Sequence, residues 1–243
     1  MHHIDLNADI GEGFPYDAEL LRYITSCNIA CGGHIGDERS MVKTIHLAKK
    51  HEVKIGAHPS YPDKLNFGRK SLNISIDELI SSIDKQLKSF QKCINNIKAN
   101  WNHIKFHGAL YNDLKDDKDK AKAIVKYLSD NHPNKILFVP PRSELKNMAS
   151  SCLSIMVEGF ADRAYNEDLS LVPRSLNGAV LTEFEQVRTQ VVDIALNQKV
   201  KSINGKYVKF KADTLCLHGD TPSALDLAKK IVSYLSEYQI RIQ

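Results

Sequence analysis

Ile4-Asp5-Leu6-Asn7-Ala8-Asp9-Ile10-Gly11-Glu12-Gly13 begins as an apolar-alternating run and breaks into two carboxylates beside two glycines. The alternation predicts a strand over Ile4 to Ala8 with Asp9 and Glu12 at its mouth. Glycine there lets the backbone take positive φ or approach a ligand closely. The arrangement recurs: Asn28-Ile29-Ala30-Cys31 stops at Gly32-Gly33-His34-Ile35-Gly36-Asp37, and Val53-Lys54-Ile55-Gly56-Ala57 ends on His58-Pro59. Likewise His103-Ile104-Lys105-Phe106 ends at His107-Gly108, and Thr214-Leu215-Cys216-Leu217 runs into His218-Gly219-Asp220. One such cluster is equally well explained as a tight turn with solvated carboxylates. Recurrence at five strand ends is not.

Helical patterns fill the intervals. Asp17 can cap a helix through Leu20, Leu21 and Ile24, and Met41, Ile45 and Ala48 share one face of the next. Prolines 59 and 62 keep the run to Arg69 a loop. Ser75-Ile76-Asp77-Glu78 has capping-box form and opens the longest helix, with Ile76, Ile80, Ile83, Leu87, Phe90, Ile94 and Ile97 as its stripe. A further helix turns Ala121, Ile124, Val125 and Leu128 inward, and strands are predicted at Ile136 to Val139 and Ile155 to Phe160. Ala161 to Gly178 reads as a long loop, followed by a helix with Val187, Val191 and Ile194 and a hairpin turning at Asn204-Gly205. Thr214 to Leu217 is read as the last strand, and Thr221-Pro222 as the start of a final helix with Leu225, Ala228, Ile231, Val232 and Leu235 inward. Alternating strands and helices without a linker predict a closed parallel (β/α) barrel, with residues 1–243 as a single domain.

Composition bounds the function. The chain has 243 residues, 42% apolar and 26% charged, with a net charge of +4. The lysines are spread along helix faces, so nucleic-acid binding is not indicated. The five cysteines lack framework spacing and read as reduced thiols, with Cys27 and Cys31 assigned to packing. Neither a secretory signal nor a membrane-length apolar run is present, which predicts a cytoplasmic protein without a membrane partner.

In a parallel barrel the C-terminal strand ends share one face, where catalysis is assembled. That places Asp9, Glu12, His34, Asp37, His58, His107, His218 and Asp220 together. Imidazole and carboxylate support two chemistries, a divalent metal that activates water or direct general acid and base catalysis. Neither the helical zinc spacing nor a phosphate loop occurs. Arg69, Arg163 and Arg174 are candidates for a substrate carboxylate or phosphate, because guanidinium is a rigid bidentate fork. Each could instead be a structural pair with an acid, such as Arg163 with Asp162 or Glu158. Tyr111 could orient substrate or pack.

These stretches, together with Asn66-Phe67-Gly68-Arg69, Leu110-Tyr111-Asn112, Ala161-Asp162-Arg163 and Leu171-Val172-Pro173-Arg174-Ser175, resemble the LamB/YcsF family of 5-oxoprolinase A subunits in chain order over nearly the whole sequence. The resemblance implies a seven-stranded, glycoside hydrolase/deacetylase-like barrel, with kinship to carbohydrate metabolism. It also implies ATP-dependent opening of 5-oxoproline to glutamate, with ATP and Mg2+ as cofactors and 5-oxoprolinase subunits B and C as partners. Asn7 joins the substrate-binding candidates on the same ground. Gly33 stands where the family pattern has an aromatic, Phe106 where it has proline, and Ala164 and Leu169 where it has glycine. These positions bear on substrate fit more than on reaction class.

A lactam is a resonance-stabilised amide, so phosphorylating its carbonyl oxygen before adding water is a chemically sensible use of ATP. Asp9, His34 and His58 are expected to activate water or hold an additional divalent metal, with Glu12, His218 and Asp220 completing the site. Lys105 and His107 are expected to stabilise developing negative charge. The rivals are a stand-alone metal-dependent amide hydrolase or deacetylase, and a non-catalytic regulatory binding protein.

Overall fold

The computed structural model describes residues 2–220 and 223–243. Its strands are β1 (His2–Ile10), β2 (Ser26–Ala30), β3 (Lys54–His58), β4 (Trp101–Ile104), β5 (Ile136–Val139) and β6 (Ile155–Phe160), then β7 (Lys199–Lys201), β8 (Tyr207–Lys209), β9 (Thr214–Cys216) and β10 (Ile240–Ile242). Strands β1 to β6 pair in order, all parallel, and β9 closes the ring. Thr214 pairs with Glu158 of β6 on one side and with Asp5 of β1 on the other. The barrel is therefore closed, parallel and seven-stranded. No helix among the described residues is long and apolar enough to cross a membrane.

The helices are α1 (Asp17–Leu20), α2 (Glu38–Lys50), α3 (Ile76–Ile97), α4 (Gly108–Asp116), α5 (Lys118–Asn131), α6 (Glu144–Ala149), α7 (Phe184–Ala195) and α8 (Ala224–Glu237). The Ser75–Glu78 capping box opens α3. Its buried face runs through Leu79, Ile83, Leu87, Phe90 and Ile94, while Ile76 is exposed. The first turn thus stands off the core, and the expected stripe begins one turn late.

Four further features differ from the sequence reading. Strand β1 runs on through Asp9 and Ile10, because their apolar and polar sides keep alternating past Ala8. Leu110-Tyr111-Asn112 is helical, within α4, and α6 follows the Pro140-Pro141 stop; both helices are too short to show a clear period. Thr214–Cys216 is not the last strand, since β10 pairs with the start of β1 after α8. The capping expected of Thr221-Pro222 lies outside the described residues. The β7–β8 hairpin is antiparallel, as Asn204-Gly205 predicts.

The barrel interior is hydrogen-bonded rather than oily. Asn28 donates to Asn7 Oδ1 and Asp9 Oδ1, each at 2.8 Å, and its own Oδ1 meets His103 Nε2 at 2.8 Å. Asn7 donates to Glu158 and Thr214, and Thr214 donates to Asp5 at 2.6 Å. Every one of these residues is buried. The ring of His103 occupies the volume that Gly56 leaves empty, so the bare backbone there is a packing requirement. This satisfied layer is the floor on which the strand-end residues stand.

Candidate active site

Because strand side chains alternate, Asn7 and Asp9 of β1 share the interior face. Asp9 contacts Lys105 Nζ through Oδ1 at 2.8 Å and His58 Nε2 through Oδ2 at 3.3 Å. Burial alone would raise its pKa, but the His58 and Lys105 charges outweigh it and hold the carboxyl well below the usual range. Glu12 lies in the following turn, where Gly11 and Gly13 take positive φ of 79° and 84°. Asp17 does not cap the first helix. Its carboxylate accepts the amides of Gly11, Glu12 and Gly13 at 3.0 to 3.2 Å, and so fixes the turn that presents Glu12.

Three histidines meet behind that turn. His58 Nδ1 is 2.8 Å from the Lys105 carbonyl, and its Nε2 is 3.0 Å from His107 Nδ1. His107 Nε2 is 2.9 Å from the Phe67 carbonyl. His34 is stacked flat on His107, ring centroids 3.7 Å apart, with Nε2 2.9 Å from Glu12 and Nδ1 3.0 Å from Ser60 Oγ. Burial and the His58 charge drop its pKa to about 3. Glu12 moves the other way: burial, then the Asp9 charge, push it well above the usual carboxylate value. Ser60 Oγ donates to the Tyr61 carbonyl, so it accepts from His34 Nδ1–H, and a neutral His34 offers its Nε2 lone pair to a protonated Glu12. His34 thus holds Glu12 from outside the cavity instead of lining it.

Lys105 is the deepest charge. Its Nζ lies 2.8 Å from Asp9 and 3.0 Å from Glu158, and it contacts Cys216 Sγ at 3.1 Å. Burial would lower its pKa, but Asp9, Cys216 and Glu158 together hold the ammonium well above its ordinary value. The opposite wall carries His218, whose backbone amide and Nδ1 both engage Asp162, at 2.9 and 2.8 Å.

At the rim, Asp220 Oδ2 bridges two guanidinium groups, Arg69 Nη2 at 2.7 Å and Arg174 Nη1 at 2.8 Å. Arg163 pairs with neither Asp162 nor Glu158. It binds the carbonyls of Val172 and Ala179, which organise the long loop, and burial followed by the Arg174 charge lowers its pKa to about 10. The Tyr111 hydroxyl has no hydrogen-bond partner although buried, and Tyr111 lines the cavity. Asp37 leaves the group: its exposed carboxylate accepts the Ser40 amide at 2.7 Å and caps α2.

These walls enclose a cavity of about 500 Å³ lined by Asp9, Glu12, His58, Lys105, His107, Tyr111 and His218, with Arg69, Arg163, Arg174 and Asp220 also on its surface. Such a volume suits a small polar substrate. Donor atoms of Asp9, Glu12, His58 and His107 lie within 4.8 Å of one another, as do those of Asp9, Cys216 and His218. Two nitrogens and two carboxylate oxygens form a set that suits a divalent transition metal. Sequence reasoning missed Glu158, Asp162 and Gln86. Glu158 was signalled by an acid inside an apolar strand, and Gln86 by an amide on the buried face of α3, where it clamps the Ser60 backbone through both its amide atoms. Gln86 also fills the space beside Gly33, where the family pattern has an aromatic. Leu169 takes a positive φ of 67°, the backbone that a glycine would adopt without strain.

The LamB/YcsF family model matches residues 4–243. The A subunit of a 5-oxoprolinase from Pyrococcus abyssi is 38% identical, over 98% of this chain and 96% of that protein. The crystal structure of a lactam utilization protein from Thermus thermophilus superposes with a TM-score of 0.91 at 31% identity, covering 99% of both chains. A family 4 carbohydrate esterase from Streptomyces lividans, with a TM-score of 0.52 at 7% identity, covering 99% of this chain and 91% of its own, shares the fold alone.

Proposed function

Because this chain belongs to the LamB/YcsF family, we propose that it is the A subunit of an ATP-dependent 5-oxoprolinase, opening 5-oxoproline to glutamate together with subunits B and C. The observation that carries this reading is the end-to-end identity with a protein of that name. The cavity supports it, with acid and base groups on its floor and guanidinium groups at its rim.

In this reading the substrate carboxylate engages Arg69 and Arg174, displacing Asp220 from one or both. ATP with Mg2+ supplies the phosphoryl group that activates the lactam oxygen, and no phosphate loop in this chain assigns that step to it. Water then adds to the activated carbon. His218, its Nδ1–H held by Asp162, takes the proton from that water, while Lys105 stabilises the oxyanion. The ring C–N bond breaks as Glu12, held in its acid form, protonates the leaving nitrogen. A second water hydrolyses the resulting acyl phosphate to glutamate and phosphate.

A second reading, a metal-dependent amide hydrolase acting alone, is favoured by the four convergent donors of Asp9, Glu12, His58 and His107. The test is glutamate release by the purified chain with and without ATP, Mg2+ and both partner subunits. Turnover only in the full mixture supports the first reading. Hydrolysis of the lactam, or of an acetylated sugar, by the chain alone without ATP promotes the second.

A further inference from the structure

We propose that Asp9, Glu12, His58 and His107 form a binding site for one first-row divalent cation on the cavity floor. The site rests on proton placement and charge, independently of which substrate the cavity takes.

The Lys105 carbonyl, 2.8 Å from His58 Nδ1, and the Phe67 carbonyl, 2.9 Å from His107 Nε2, can only accept. Each of these nitrogens therefore carries a proton, and in a neutral ring the other nitrogen is a bare lone pair. Those other nitrogens, His58 Nε2 and His107 Nδ1, face each other at 3.0 Å. Asp9 Oδ2 lies 3.3 Å from His58 Nε2, and Glu12 Oε1 lies 3.4 Å from His107 Nδ1 and 3.9 Å from His58 Nε2. Four acceptors thus converge on one point.

Either a proton or a metal ion can relieve that convergence, and two magnitudes favour the ion. A proton on one ring satisfies the contact between the two rings but leaves the carboxylate oxygens unengaged. Ligand atoms about 2.0–2.1 Å from a tetrahedral zinc stand roughly 3.3 Å apart, and the separations found are 3.0, 3.3, 3.4 and 3.9 Å. With Asp9, Glu12 and Glu158 ionised, the Lys105 ammonium leaves two buried negative charges, which one divalent cation balances and one proton does not.

Each donor also has an outer partner, as metal ligands require. Backbone carbonyls orient both rings, His34 holds Glu12 at 2.9 Å, and Lys105 and Asn28 hold the far oxygen of Asp9, each at 2.8 Å. His34, expected from the sequence as a ligand, is such an outer partner. The mixed nitrogen and oxygen set selects zinc, cobalt or manganese over magnesium or calcium. A cation there would supply Lewis acidity to a carbonyl or water in the cavity.

The experiment is calorimetric titration of the chelator-stripped, dialysed full chain with Zn2+, and separately with Mn2+ and Co2+. One ion per chain is expected, with a rise in the unfolding temperature. His107→Ala and Glu12→Gln should each weaken binding by at least about tenfold, the scale at which even outer-shell changes act, while Cys216→Ser leaves it unchanged. Unfolding of the ion-free variants checks that they are folded. If His107→Ala is not, the isosteric Glu12→Gln decides. A stripped chain that takes up none of the three ions, or affinity unaltered in Glu12→Gln, or affinity lost in Cys216→Ser alone, overturns the proposal. Because the readout is binding, a failure to open 5-oxoproline leaves the result intact.

Discussion

The ammonium of Lys105 lies 3.0 Å from Oε1 of Glu158, at a depth where both side chains are removed from solvent. Neither charge has water to fall back on. Asn7 shares the same carboxylate oxygen, and Glu158 Oε2 has no hydrogen-bond partner.

Replacing Lys105 by Met leaves Asp9 and Glu158 facing each other without a cation. Removing one partner of a buried ion pair costs about 3–5 kcal/mol. Urea unfolding of Lys105→Met should show a loss of that order, with activity abolished in the reconstituted system. An unchanged midpoint would mean that Glu158 takes up a proton at no cost.

Arg69 and Arg174 stand at the rim, with side chains 42% and 30% exposed, so the fold depends little on them. Arg69→Ala and Arg174→Ala should raise KM for 5-oxoproline by about tenfold or more, as loss of a charge-assisted hydrogen bond of about 1.5–3 kcal/mol implies, with a smaller effect on kcat. Equal KM in parent and double variant removes these residues from substrate binding.

The Asp37 carboxylate is a helix cap and not part of the site. Asp37→Ala should keep full activity and unfold at a slightly lower temperature. The amide bond from Ser40 lowers the Asp37 pKa, so the cap contributes fully above the ordinary carboxylate pKa of about 4. Its contribution is lost as pH falls through the lower folded value. The gap in unfolding temperature between parent and variant should therefore close toward acid pH, and a gap that widens there contradicts the cap. Asp17→Asn, by contrast, loosens the amides that present Glu12 and should depress kcat.

A methyl group on Gly56 would meet the buried ring of His103, and one on Gly13 would meet open space. Overpacking of this kind costs about 1–3 kcal/mol or more, and the left-handed backbone of Gly13 about 1–2 kcal/mol for alanine. Thermal unfolding should rank Gly56→Ala as the more damaging. The reverse order would show that His103 moves aside freely.

The barrel was legible because its signal repeats: apolar runs stop at glycine and histidine five times, and parallel topology brings those stops to one face. His58, His107, Lys105 and Asp9 were found by position along the strand alone. His34 was found but misplaced, since sequence cannot tell a residue lining a cavity from one stacked behind it, and only the Ser60 and Glu12 contacts make the difference. Asp17 looked like a helix cap because its side chain precedes an apolar run, whereas three amides of the previous turn compete for it and win. The Phe67 carbonyl that fixes the His107 tautomer is a backbone group in a left-handed turn, and no residue pattern announces it.

Closure of the ring through Thr214, whose hydroxyl reaches Asp5 across 209 positions of sequence, sets the order in which this molecule can come into being. Until β9 arrives, β1 and β6 each present an unpaired edge, and Asn7 and Glu158 lack the neighbour that joins them. During synthesis the first strand must wait for nearly the whole chain to leave the ribosome before its last partner exists. Contacts of such separation form slowly, and open strand edges invite pairing with other chains. A pause or truncation before residue 214 should therefore yield an aggregation-prone species rather than a partly active one, which makes this chain a natural client for protection during its own birth.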